Sequence, residues 1–135
     1  MIEKAEDMPR PAWLLYLAGP MRSHPLFNFP AFYRAQNELL AVGYRVISPA
    51  EMDHVVGFNE YLDVPDMAFI ANAMRRDFMA IDVCDGVALL PGWRKSVGTR
   101  RETDYARSLK IPCREVKTWL KRRAPTRRRR TGAGR

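Results

Sequence analysis

The chain has 135 residues, a length that suits one domain. Hydrophobic residues make up 47%, enough for a real core, and no apolar run approaches the roughly 18 residues that a membrane helix needs. The net charge of +8 is unevenly held: residues 121–135 carry eight cations (Lys121, Arg122, Arg123, Arg127, Arg128, Arg129, Arg130, Arg135) and no acid, so the remainder is neutral. The opening residues lack the apolar centre of a signal peptide, and the expected location is cytoplasmic. Cys84 and Cys113 form neither a metal motif nor a disulfide framework; both sit in apolar segments and read as core thiols.

Residues 1–11 are polar with two prolines and read as a loose lead-in; the domain proper spans 12–120, and 121–135 is a basic tail of the kind that is usually disordered. The tail either holds nucleic acid nonspecifically through phosphate contacts or is simply solvated. The first strand covers about 13–18, an apolar run stopped by Gly19-Pro20. Such a run reads as a strand buried on both faces, as in parallel sheets covered by helices. Ligands in open α/β sheets bind at the carboxyl ends of strands. There Gly19 would let a ligand approach the backbone, and Arg22 could grip an anion. An ordinary turn with a solvated Arg22 is the equal alternative.

Asn28 is a good N-cap, Pro30 falls in the first turn, and apolar residues from Phe29 to Leu40 recur at helical spacing, predicting a helix over about 29–41. Tyr44–Ile47 is a second strand, ended by Ser48-Pro49. Residues 50–65 lack a strong period and read as an irregular, functional loop holding Asp53, His54, Phe58 and Tyr61. Asp66 caps a helix of about 66–83. Gly86–Leu90 is a third buried strand, followed by a polar loop to Val97 and a helix of about 99–109. Ile111–Val116 reads as a fourth strand, at an edge because of Pro112, and 117–121 as a final helical turn. Alternating strands and helices imply a small doubly wound parallel sheet of four to five strands.

Three strand ends then converge: 19–22, 48–51 and 91–102. Ser96-Val97-Gly98-Thr99 opens a helix, where free N–H groups make an anion site. Arg75, Arg76, Asp77, Asp82 and Asp85 add polar groups. Walker A, GxGxxG and zinc-type spacings are missing, which argues against hydride-cofactor and metallohydrolase readings. Glu102 and Asp77 are candidates for a carboxylate pair of the kind glycosidic chemistry uses. On residue chemistry alone the plainer alternative is preferred: Asp77 pairs with a nearby Arg, and Glu102 merely suits a helix N-terminus.

The segments Tyr16–Arg22, Arg76-Asp77, Cys84–Leu90 and Ser96 to Glu102, followed by Ala106, together resemble the nucleoside 2-deoxyribosyltransferase superfamily. The similarity is greater to a small phage and bacterial branch of unassigned function, which shares Asn28-Phe29-Pro30, Gly43-Tyr44 and Ser48–Glu51. The resemblance covers about 13–116. It implies a flavodoxin-like, Rossmann-like three-layer fold and cleavage of an N-glycosidic bond in a nucleoside or nucleoside 5′-monophosphate, by transfer or hydrolysis. It matches Glu102 to the nucleophile, Asp77 to its assistant, Tyr16 to an aromatic hydroxyl beside the nucleophile, and Arg22 and Ser96, with the N–H groups near Gly98, to phosphate contacts. It implies no metal or cofactor, and a homo-oligomer. Arg100 and Arg101 are departures; two cations beside Glu102 would hold it ionised or pair it off. His54 and Trp93 are candidates for the base pocket, with loop packing as the alternative. His24 reads as a loop residue. A non-catalytic nucleotide-binding module is the rival to the enzyme.

Overall fold

The computed structural model describes residues 12–122. The lead-in and the tail beyond Arg122 lie outside the described residues. Strands β1 (Leu14–Ala18), β2 (Arg45–Ile47), β3 (Gly86–Leu89) and β4 (Cys113–Glu115) form one parallel sheet in the order β2-β1-β3-β4. This is the flavodoxin-like order without a fifth strand, and its switch point lies between the carboxyl ends of β1 and β3. The two central strands are the two apolar runs, since they are covered on both faces. The exposed cations Arg45 and Arg114 fall on the edge strands, and Pro112 indeed precedes an edge.

Alternation along β1 divides the core. Leu15 and Leu17 point to one face with Phe29, Phe32, Leu39, Tyr44 and Trp119; Tyr16 and Ala18 point to the other with Ala80, Ile81, Val87, Leu89 and Ala106. Helices α1 (Phe29–Ala41) and α5 (Val116–Lys121) cover the first face. Helices α3 (Met67–Val83) and α4 (Val97–Ser108) cover the second. Helix α2 (Pro49–Val55) bridges α1 and α3. Phe29, Phe32, Ala35 and Leu39 form the buried stripe of α1, at the spacing a one-sided helix requires. Asp66 caps α3, its Oδ1 accepting from Phe69 N at 2.7 Å.

The first face is dry and tightly keyed. The Trp119 indole donates to Val87 O at 2.9 Å, and the Tyr44 hydroxyl donates to Trp119 O at 3.1 Å. A Cβ on Gly86 would stand 2.7 Å from the indole, so only glycine admits that ring. Gly19 has a similar duty. A Cβ there would meet Leu90 at 2.7 Å, so the space its absent side chain leaves is filled by Leu90 rather than open to a ligand. This corrects the ligand-approach expectation for Gly19.

Two further expectations change. Residues 49–55 are helical, not irregular; the stretch is too short to show a period. Asn28 does precede α1, but it is left-handed (φ 63°) and makes no cap bond; its Nδ2 donates to Pro20 O at 2.9 Å. Leu26 (φ 52°) and Phe27 (φ 54°) are left-handed too. Such conformations cost about 1–2 kcal/mol each outside glycine. The Asn28 bond and the edge-on contact of Phe27 with Phe58 (centroids 5.4 Å apart) hold the turn.

Candidate active site

Tyr16 lies on the second face of β1 and is fully buried. A buried phenol needs a hydrogen-bond partner. It finds one in Glu102 of α4, donating to Oε2. Glu102 faces inward because Thr99, Glu102, Thr103 and Ala106 form the buried stripe of that helix. It is only 9% exposed. Asp77, half-buried on α3, is near enough for its charge to act on Tyr16 and Glu102. Tyr16, Asp77 and Glu102, taken from three elements 25 to 86 residues apart, therefore form one cluster in which Tyr16 donates to Glu102 and both acids act on its hydroxyl electrostatically.

The electrostatics follow from crowding two acids in a dry place. Burial, then the charge of Asp77, pushes Glu102 up to about 8, with the Tyr16 bond opposing. Burial, then the charge of Asp53, raises Asp77 to about 7, opposed by the Tyr16 bond and by Arg76. Burial and both carboxylates raise Tyr16 well above the usual phenol range, so it stays a donor. Two carboxyl groups this close titrate as a unit and hold one proton between them near neutrality. Arg100 and Arg101 are both exposed and contribute nothing to this balance. The expectation that they hold Glu102 ionised is overturned: consecutive helical residues diverge by about 100°, so neighbours of an inward residue point elsewhere.

Asp53 and Arg76 are site residues that sequence reasoning did not assign. Asp53, 7% exposed on α2, accepts from Arg76 Nη2 at 3.2 Å. Arg76 precedes Asp77 on α3, so the pair ties α2 to the carboxylate cluster. A signal existed: Ser48-x-x-Glu51 with Pro49 is a helix-start pattern, and Gly57 a stop. A short helix over 49–55 would have turned Asp53 inward.

The anion-binding candidates sit around the start of α4. Ser96 is its N-cap; Oγ accepts from Thr99 N at 3.2 Å and from Thr99 Oγ1 at 2.8 Å. The helix thus begins two residues earlier than expected, at Val97. Gly98 borders open space, since nothing lies within 4 Å of a Cβ built there. Arg22 is exposed in the loop after β1, with no ion pair among the described residues.

The two base-pocket candidates have different neighbours. His54 is occupied at both ring nitrogens: the Tyr33 hydroxyl engages Nδ1, and Glu60 engages Nε2 at 2.8 Å. It stacks on Tyr33 and hydrogen-bonds to none of Tyr16, Asp77 and Glu102. The guanidinium of Arg94 lies 4.7 Å from the centroid of Trp93. Asp85 and Asp82 also leave the site. Asp85 Oδ2 accepts from Leu14 N at 2.8 Å at the amino end of β1, and Asp82 accepts from Tyr105. Among the described residues no three His, Cys, Asp or Glu side chains group to hold a metal ion.

Fold and site together define a flavodoxin-like α/β domain with a coupled carboxyl pair, Glu102 buried and Asp77 half-buried, beside its switch point. The chain belongs to the family described as Domain of unknown function (DUF4406), which it matches over residues 13–114. Its fold is that of a 2-deoxyribosyltransferase from Bacillus psychrosaccharolyticus, a solved structure with TM-score 0.57 and 19% identity, covering 74% of this chain and 69% of that one. No curated protein matches the sequence. No helix among the described residues is long and apolar enough to cross a membrane.

Proposed function

We propose that this protein cleaves the N-glycosidic bond of a nucleoside 5′-monophosphate or nucleoside, with Glu102 as nucleophile. The observation that carries the reading is the buried Tyr16 hydroxyl donating to buried Glu102, with half-buried Asp77 coupled to both. Glycosidic cleavage uses one carboxylate to meet an oxocarbenium-like centre and one acid to supply a proton. A pair with one proton near neutrality holds both forms at once. Glu102, with the higher value, holds the shared proton more often than Asp77, so the reactive arrangement, charge on Glu102 and proton on Asp77, is the minor one; donation from Tyr16 to Oε2 stabilises the charge it places on Glu102.

Glu102 attacks C1′ while the C1′–N bond breaks. The bonding electrons go to the base, and Asp77 delivers its proton there. Water, or a second base, then attacks C1′ and releases Glu102 as a carboxylate; Asp77 regains a proton from the attacking group. Arg22, the Ser96 hydroxyl and the N–H groups near Gly98 hold the 5′-phosphate at the start of α4. The deoxyribosyltransferase fold supports the same reading, and a homo-oligomer is part of it.

Incubation with a panel of nucleosides and their monophosphates, with free base followed by chromatography, tests it. Release is expected from at least one substrate, and Glu102→Gln should slow it by about 1,000-fold or more, some 4 kcal/mol. The pH profile should be bell-shaped: below about 7 both acids are protonated, and above about 8 neither is. Tight binding without base release, unaffected by Glu102→Ala, would instead assign a non-catalytic nucleotide-binding module.

A further inference from the structure

The flank of α4 beside its buried stripe carries a second constellation. Glu102 looks toward the sheet. Arg107 follows five residues later, turned by about 140° at roughly 100° per residue. With Trp93, Arg94, Arg100, Thr103 and Asp104 it lines a groove of about 380 Å³. Volumes of about 300–1,000 Å³ are usual for ligand sites. The lining shares no residue with Tyr16, Asp77 and Glu102.

Three features of this groove need a partner. Its charges are three guanidinium groups against one carboxylate, and none of the four takes part in an ion pair among the described residues. The like charges are also gathered rather than spread: Arg94 and Arg107 both approach the Trp93 ring, at 4.7 and 6.0 Å from its centroid. An indole face attracts cations, and here it collects two of them at one wall. Finally, the Trp93 Nε1 proton is buried and has no acceptor. An unpaired buried donor costs about 1–3 kcal/mol, a cost that an acceptor oxygen brought to the ring edge would remove.

Planar guanidinium forks match phosphate oxygens, and an all-arginine set beside an indole is the chemistry that recognises phosphate esters. Arginine beside an aromatic ring in a basic groove also suits a single-stranded backbone. We propose that this groove is a second phosphate-ester site, separate from the carboxylate cluster, organised by Trp93 and its arginines.

The Trp93 indole N–H is the natural reporter, read by nitrogen-15 NMR of the full chain and identified by its loss in Trp93→Phe. Inorganic phosphate and a hexathymidylate oligonucleotide are the two probes. The Trp93 resonance is expected to shift and saturate with at least one of them. Combined Arg100→Ala and Arg107→Ala should weaken that titration at least about tenfold. Arg100→Glu, a charge reversal at an exposed position, should do the same and serves where the double variant does not fold. Glu102→Gln should leave the titration unchanged, and the arginine variants should leave base release unchanged. Tighter saturation by the oligonucleotide assigns a phosphodiester backbone; equal saturation by phosphate assigns a free phosphate ester. A resonance unmoved by either probe, an unchanged titration in the arginine variants, or one abolished by Glu102→Gln overturns the proposal.

Discussion

The two faces of the sheet are built from the same two central strands and have opposite energetics. The face under α1 and α5 is mostly apolar and buries no acid, with Trp119 locked over Gly86 and its indole bonded to Val87 O. The face under α3 and α4 buries a phenol and Glu102, and half-buries Asp77. The first face stabilises the domain, and the second is tolerated because of it. Proteins hold raised-pKa carboxyls at functional sites at a cost in stability. The contrast is therefore between a face selected for packing and one selected for charge.

Breaking the dry face should give the largest stability change. Trp119→Ala removes the indole, its bond to Val87 O and its packing on Gly86, and should cost about 3–5 kcal/mol in denaturant titrations. Activity at low temperature should persist, since Trp119 reaches no site residue. A loss of activity in a variant that stays folded would deny that the faces are separable.

Relieving the polar face should do the reverse. Glu102 rises from about 4.5 unfolded to about 8 folded, so the folded state binds more protons between those values. Its protonated form is fully accommodated below about 4.5, and stability falls as pH rises through about 8. Gln at 102 escapes that loss. Glu102→Gln should match the parent at pH 5 and exceed it at pH 9 by an amount on the order of a few kcal/mol. Equal pH dependence of melting in the two proteins would contradict the burial-driven shift.

The smallest effect sharpens the boundary of the polar face. Asp53 raises Asp77 by its charge and restrains Arg76 by an ion pair. Asp53→Asn removes the first influence and frees the second, and both lower Asp77. The acid limb of the base-release profile should move down by about half a pH unit or more, with the alkaline limb less affected. An unmoved acid limb would place Asp53 outside the site.

Much of the fold is legible in the chain. Leu14–Ala18 and Gly86–Leu89 are apolar because both faces are covered, and the stripe from Phe29 to Leu39 has one helical period. Asp66 announces its helix by capping chemistry. The 49–55 helix was legible only in its start and stop residues, not by period, because seven residues give less than two full repeats. Gly19 was misread for a different reason: a glycine needed for contact with Leu90 looks, in sequence, like one that admits a ligand. Asn28 likewise carries a capping side chain whose bond is diverted to Pro20.

By itself the sequence determined the alternation of strands and helices, the parallel sheet, and the identity of the acids available. Whether Asp77 and Glu102 meet was not in it. Local spacing orients each acid on its own helix, but their separation depends on how α3 and α4 dock on the sheet. Only the tertiary structure decided that Tyr16 bonds Glu102 with Asp77 coupled to both, that Arg100 and Arg101 turn away, and that Trp93 lines a cationic groove. The physical reason is that periodicity encodes which side of an element is buried, whereas charge coupling depends on distances between elements.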